Sequence, residues 1–187
     1  LFLFVGLGNP EPRYAANRHN VGFRVLDALG QRAGVSWSER FQGRLGQGKL
    51  GEEKVLLLEP MTFMNRSGES VVKATQYFKV NLDQTVIVHD EMDIDFGRLQ
   101  LKRDGGSGGH NGLRSIEASL RSPDFLRVRV GVGRPPARWD AADWVLSDFD
   151  AAETEKLAAV VQAAADACQM VVERGMSAAM NQYNRRP

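Results

Sequence analysis

The polar residues that follow apolar strand-like runs or open helix-like ones are rich in Asn and His: Asn9, His19, Asn20, Asn65, His89, Asp90, His110 and Asn111. Imidazole titrates near neutral pH, so His19 is a candidate general base, and a carboxylate at its other ring nitrogen would fix its tautomer and raise its basicity. Asp90 fits that part, because it follows the apolar run Val86-Ile87-Val88 and would stand at the carboxyl edge of a strand. The neutral amides of Asn9, Asn65 and Asn111 can hold an uncharged polar substrate, or stabilise an oxyanion, without an opposing fixed charge. Taken singly, Asn9 and Asn111 are expected to shape turns and Asn65 to cap a helix. Covalent catalysis has no obvious nucleophile: no Gly-x-Ser-x-Gly elbow occurs, and the single cysteine, Cys168, falls on an apolar helical stripe. Activated water is the chemistry left.

Other site types fit poorly. The segment His89 to Asp95 lacks the EF-hand pattern and has no second His at zinc-type spacing, so no metal is expected. Gly6-Leu7-Gly8-Asn9-Pro10-Glu11 supplies two glycines of a dinucleotide fingerprint, but Glu11 stands in the third place and Pro10 and Pro12 disrupt the helix start. No cofactor is expected, and a nucleotide-dependent oxidoreductase is disfavoured. Gly105 to Gly109 leads into His110-Asn111-Gly112; its backbone N–H groups can approach an anion, yet the Lys-Ser/Thr ending of a P-loop is absent.

These residues need elements to position them. Leu1 to Leu7 reads as a buried first strand, and Val21, Val25, Leu26 and Leu29 recur at helical spacing after Asn20, a candidate N-cap, until Gly30 and Gly34. Further strands are expected at Lys54 to Leu58, paired with Phe41 to Leu50 around Gly51-Glu52-Glu53, and at Thr85–His89, Arg98–Arg103 and Arg127–Val132. Helices are expected at Ser67–Phe78, about Gly112–Leu120 and about Ala152–Arg174. The alternation implies an α/β protein: one three-layer sandwich domain over residues 1–187, with a mixed, mostly parallel central sheet and helices on both faces. Ligands in such folds bind beyond the carboxyl ends of strands.

The 187 residues carry 24 Lys or Arg against 23 Asp or Glu, a net charge of +1 that hides opposed blocks. Arg98 to Arg138 holds nine cations against three acids, a candidate polyanion surface, whereas Trp139 to Glu173 holds Lys156 alone against eight acids. No apolar run approaches the roughly 18 residues that span a bilayer. No signal peptide is read at the start, and one cysteine excludes an internal disulfide, so the cytoplasm is the expected compartment.

Several strings, taken together, resemble the bacterial peptidyl-tRNA hydrolase family, and they occur in the family's order. They are Val5-Gly6-Leu7-Gly8-Asn9-Pro10, Tyr14, Arg18-His19-Asn20-Val21-Gly22, Pro60-Met61-Thr62-Phe63-Met64-Asn65, His89-Asp90-Glu91-Met92-Asp93 and Gly108-Gly109-His110-Asn111-Gly112, with the tail Met176 to Asn184. The resemblance implies cofactor-free hydrolysis of the ester joining an N-blocked peptide to the terminal ribose of tRNA, by a monomer that recycles tRNA dropped from stalled ribosomes. It makes His19 the base that activates water and Asp90 the carboxylate that orients it. Asn9, Asn65 and Asn111 would bind the peptide backbone and the tRNA end, with Asn65 also steadying the water or the oxyanion. Tyr14, Met64 and His110 would join the substrate-binding set, and Lys102 and Arg129 would hold tRNA phosphate, although Arg127 lies two positions away on the same strand face. Ser107 and Glu59 depart from the family pattern, which commonly has His and Lys there; the second removes a positive charge expected near the cleft. The competing class is a non-catalytic RNA-binding relative on the same fold.

Overall fold

The computed structural model describes residues 1–185. The first apolar run forms β1 (Phe2–Gly6), the central strand of a seven-stranded sheet. The other strands are β2 (Ser36–Arg40), β3 (Gly43–Leu50), β4 (Glu53–Pro60), β5 (Thr85–Glu91), β6 (Leu99–Lys102) and β7 (Leu126–Gly131), in the spatial order β2-β3-β4-β1-β5-β7-β6. Strands β4, β1, β5 and β7 pair in parallel, while β3 and β6 run against their neighbours. A strand with parallel partners on both sides and helices on both faces has no polar face, which is why β1, β4 and β5 read as near-continuous apolar runs.

Among the described residues six helices surround the sheet: α1 (Val21–Ala33), α2 (Ser67–Phe78), α3 (Asn111–Leu120), α4 (Ala141–Val145), α5 (Ala151–Arg174) and α6 (Met176–Tyr183). Strand side chains alternate between two cores. Phe4, Val55, Leu57, Val86, Val88 and Val128 pack with the apolar stripes of α1 and α5, and Cys168 lies in this core. Leu3, Val5, Leu56, Leu58 and Ile87 pack with α2 and α3. Among the described residues no helix is long and apolar enough to cross a membrane.

A close approach of α1 to the sheet sets the height of the functional residues. A Cβ at Gly22 would lie 2.5 Å from the Val88 carbonyl oxygen and 2.6 Å from the Leu7 nitrogen, so only glycine lets the first turn of α1 rest on β1 and β5. That contact carries the 3-10 turn Arg18–Asn20 over the strand ends. The sequence places α2 to the residue, and the β3–β4 hairpin closes at Leu50 opposite Glu53, around Gly51-Glu52. Strand β2 escapes sequence reading because it is an edge strand with little buried surface, and α4 because it spans only five residues. Asn20 occupies the N-cap position of α1, but its side chain makes no cap bond. Just after α6, the chain closes the β6 edge: the Asn184 amide accepts from Leu101 N at 2.7 Å and donates to Leu101 O at 2.9 Å, as a neighbouring strand would.

Glu59 faces α1 rather than the cleft. Burial first, and then Asp27, push its carboxyl up to about 9, outweighing the half-exposed Arg44 guanidinium at 3.1 Å. Glu59 is therefore neutral at pH 7. A carboxyl raised in the folded state contributes stability that is complete below its ordinary value of 4.5 and lost as pH rises towards about 9. Glu59→Gln keeps the shape without the proton, so its Tm should match the wild type near the lower value and exceed it by at least about 2–4 °C just below the upper one. Thermal melts across that range check this, and a constant difference would refute it.

Candidate active site

Asp90 lies near the carboxyl end of β5, and Asn9 follows β1. Both are thus brought beneath His19 by the parallel pairing of those strands. His19 Nδ1 stands 2.9 and 3.0 Å from the two Asp90 oxygens. A carboxylate only accepts, so the proton sits on Nδ1 and the Nε2 lone pair is free for the cleft. Burial acts to lower the His19 pKa, but the Asp90 charge and hydrogen bond outweigh it and the net shift is upward. For Asp90, burial would raise the pKa, and the two neighbouring imidazoles instead hold it well below the usual carboxylate range.

The second imidazole is His110. Its Nδ1 accepts from Gly112 N at 3.1 Å and Leu113 N at 3.3 Å, which caps α3. Nδ1 must then present a lone pair, so Nε2 carries the proton and donates to Asp90 at 2.8 Å. Both ring nitrogens of His110 are committed inside the protein, whereas the sequence grouped it with the substrate-binding residues. His89 is buried below, its ring edge-on to that of His110 at 5.2 Å. Burial, then His110, depress its pKa to about 3, so it is neutral. Ligand atoms of His19, Asp90 and His110 lie within 4.8 Å of one another, the separation a metal would need. The donor set does not suit one: the facing nitrogens of His19 and His110 carry protons, and freeing that of His110 would undo the cap.

The cleft above the dyad has a volume of about 630 Å³ and is lined by Asn9, Tyr14, His19, Met64, Asn65, Asp90, Gly108, Gly109, His110 and Asn111. The Asn9 backbone is held by Asn20, which accepts from its N and donates to its O, each at 2.9 Å. The Asn9 side-chain oxygen accepts from Met64 N at 3.0 Å, which leaves its NH₂ group to donate to a ligand. Asn65 and Asn111 are exposed at the rim, and Asn65 does not cap α2. Positive φ at Gly108 and Gly109 lets the loop turn along the cleft wall.

Lys102 and Arg129 lie outside the cleft lining, on the β6–β7 flank. Lys102 is exposed, and Arg129 is held by Glu91 and Gln100. Arg127, on the same face as Arg129, is buried and donates to the carbonyls of Gly105, Pro123 and Phe125. Its guanidinium is spent on the fold, which separates two residues that the sequence left equivalent.

Arg18 is a residue that sequence reading quoted without a role. It is 2 % exposed, and its guanidinium lies 3.5 Å from the centre of the Trp144 ring. It donates to Ser147 Oγ, the Asp148 carbonyl and Glu153 at 2.6 to 2.8 Å. Ala141, Ala142, Val145 and Leu146 form one wall of the cleft, so Arg18 ties that wall to the neighbour of His19. Its partners lie more than 120 residues away in sequence, and no local pattern announces them.

The family model described as peptidyl-tRNA hydrolase matches residues 3–187. A protein named peptidyl-tRNA hydrolase from Anaeromyxobacter sp. (strain K) is 50% identical over 185 residues, covering 98% of this chain and 96% of its own length. One of the same name from Frankia casuarinae is 46% identical over 184 residues, covering 98% of this chain and 93% of its own. The crystal structure of peptidyl-tRNA hydrolase from Acinetobacter baumannii superposes with a TM-score of 0.92 at 37% identity, covering 98% of this chain and 94% of that one.

An NMR titration of the His19 ring should give a midpoint above 6.5 in the wild type. In Asp90→Asn the midpoint should drop below that value, because burial then acts unopposed. A midpoint that does not move would show that Asp90 does not hold the proton.

Proposed function

The chain belongs to the peptidyl-tRNA hydrolase family and hydrolyses peptidyl-tRNA, and we propose that it does so with a water molecule activated at His19 Nε2. The water attacks the ester carbonyl and gives its proton to Nε2 while Asp90 stabilises the imidazolium. The tetrahedral oxyanion takes hydrogen bonds from Asn side-chain amides at the cleft, Asn65 foremost. Collapse breaks the bond to the ribose oxygen, to which His19 returns the proton. The products are a peptide carboxylic acid, which loses its proton to solvent, and tRNA with a free terminal hydroxyl. A positioned base contributes roughly 10²–10⁴ in rate and one oxyanion donor roughly 10²–10³, so no covalent intermediate is needed.

The observation that carries this reading is the His19 ring, held by Asp90 with its other nitrogen open to the cleft. A purely RNA-binding role gives no reason to bury a carboxylate between two imidazoles. Asn9 and Asn111 select an N-blocked substrate, because their amides match a neutral peptide group while an α-ammonium would lose its hydration there. Exposed Lys102 takes a tRNA phosphate, and Arg129 does so in exchange for Glu91. The protein acts as a monomer in the cytoplasm, where its substrate arises.

Release of labelled N-acetyl-amino acid from tRNA in the presence of EDTA tests the mechanism. His19→Ala should lose about 10²-fold or more in kcat with tRNA binding kept. Loss in the wild type on adding EDTA, or full activity in the variant, would overturn it. Asn9→Ala and Asn111→Ala should raise KM for the blocked substrate more than they lower kcat, and equal losses for blocked and free aminoacyl-tRNA would refute the selection by amides.

A further inference from the structure

A second groove of about 740 Å³ adjoins the cleft and has no part in the chemistry described above. Phe63, 54% exposed, lines both, so the two adjoin at a single aromatic side chain. The groove is built where the ends of β2, β3 and β4 meet, at Arg40, Gly43, Arg44 and Met61, and Pro10 and Glu11 close it immediately after Asn9. We propose that it is a second subsite, which takes the upstream part of the peptide on the tRNA and in which Arg40 favours acidic side chains. This rests on the reading of the cleft as the ester-cleaving site.

The direction follows from the order of the strands. The reacting ester sits above β1 and β5, in the middle of the sheet, and carries RNA on one side and peptide on the other. The cationic block of the sequence includes β6 and β7, on one flank, and the groove opens on the opposite flank. With RNA on the cationic side, the peptide is directed across Phe63 into the groove.

The charges in the groove suit a peptide better than RNA. Arg44 faces Asp27 at 3.8 Å and Arg66 pairs with Glu69 at 2.5 Å. Glu11, paired with Arg13 at 2.8 Å, and Glu39 also line the groove, so it lacks the dense positive charge that holds a phosphate backbone. Arg40 remains: among the described residues no carboxylate lies within 4.0 Å of it. Its guanidinium lies 4.0 Å from the centre of the Tyr77 ring and 4.6 Å from that of Phe41, which hold its plane and leave its donors for a ligand. Directly across the strand pair stands Gly43, which lines the groove together with Arg40. An arginine plane braced by aromatic rings and beside open space is suited to a carboxylate.

The test uses N-acetylated peptidyl-tRNAs lengthened one residue at a time, with glutamate or lysine walked through the upstream positions. In the wild type, kcat/KM should favour glutamate about two- to fivefold once the peptide is long enough to reach the groove, and the preference should shrink with added salt. Arg40→Gln should remove the preference and Arg40→Glu invert it, while N-acetyl-aminoacyl-tRNA turnover stays within about twofold in all three proteins. The absence of a charge preference at every length in the wild type would overturn the proposal without any variant. Parallel loss on short and long substrates in the Arg40 variants, or weakened binding of deacylated tRNA, would also overturn it, the latter by making the groove an RNA contact. Failure of the wild type on even the shortest substrate would instead remove the hydrolase reading beneath it, so the two failures are distinguishable.

Discussion

The site depends on one buried charge. Asp90 is nearly without solvent, and a carboxylate in that position is tolerated only when it is paired and hydrogen-bonded. Here two imidazoles donate to it from different elements, His19 from the turn before α1 and His110 from the start of α3. Removing one partner from a buried pair of this kind costs about 3–5 kcal/mol, so the carboxylate constrains where both elements must sit. It also fixes the His19 tautomer, so the geometry that satisfies the buried charge leaves Nε2 unprotonated in the cleft.

The rest of the architecture meets that constraint. Close contact at Gly22 sets α1 against β1 and β5, which fixes the height of His19 over Asp90. Asn20, next in the chain, orders the Asn9 backbone, and Asn9 in turn orders Met64, so one wall of the cleft is continuous with the dyad. Arg18, on the other side of His19, anchors the segment from Trp144 to Glu153. Three consecutive residues thus hold the opposite wall, the Asp90 carboxylate and the Asn9 loop. The strand order then gives the cleft two unlike flanks, cationic at β7 and β6 and of mixed charge at β2 to β4.

Much of this was legible in the chain. Apolar runs bounded by Gly and Pro mark β1, β4 and β5, and the helical stripes mark α1, α2 and α5, because burial on defined faces imposes periods that a sequence displays. The His19 and Asp90 candidates follow from residue type and from position after strands. Other features leave no such trace. Strand β2 and helix α4 bury little, and Asn20 looks like a helix cap but serves a loop. His110 lines the cleft yet has both ring nitrogens bound within the protein, and Arg127 and Arg129 are equivalent in pattern although the first is buried against backbone carbonyls and the second is half-buried against Glu91.

The sequence by itself determined the α/β class, the element order, the uneven distribution of charge and the stock of neutral amides and imidazoles, since these depend on local periodicity and composition. Only the tertiary structure decided which histidines share the carboxylate, which arginine is buried against backbone carbonyls and which wall Arg18 holds. It also decided that a groove continues past Phe63. The physical reason is that these are contacts between residues far apart in the chain, where burial and hydrogen-bond partners, rather than residue type, set charge, tautomer and access.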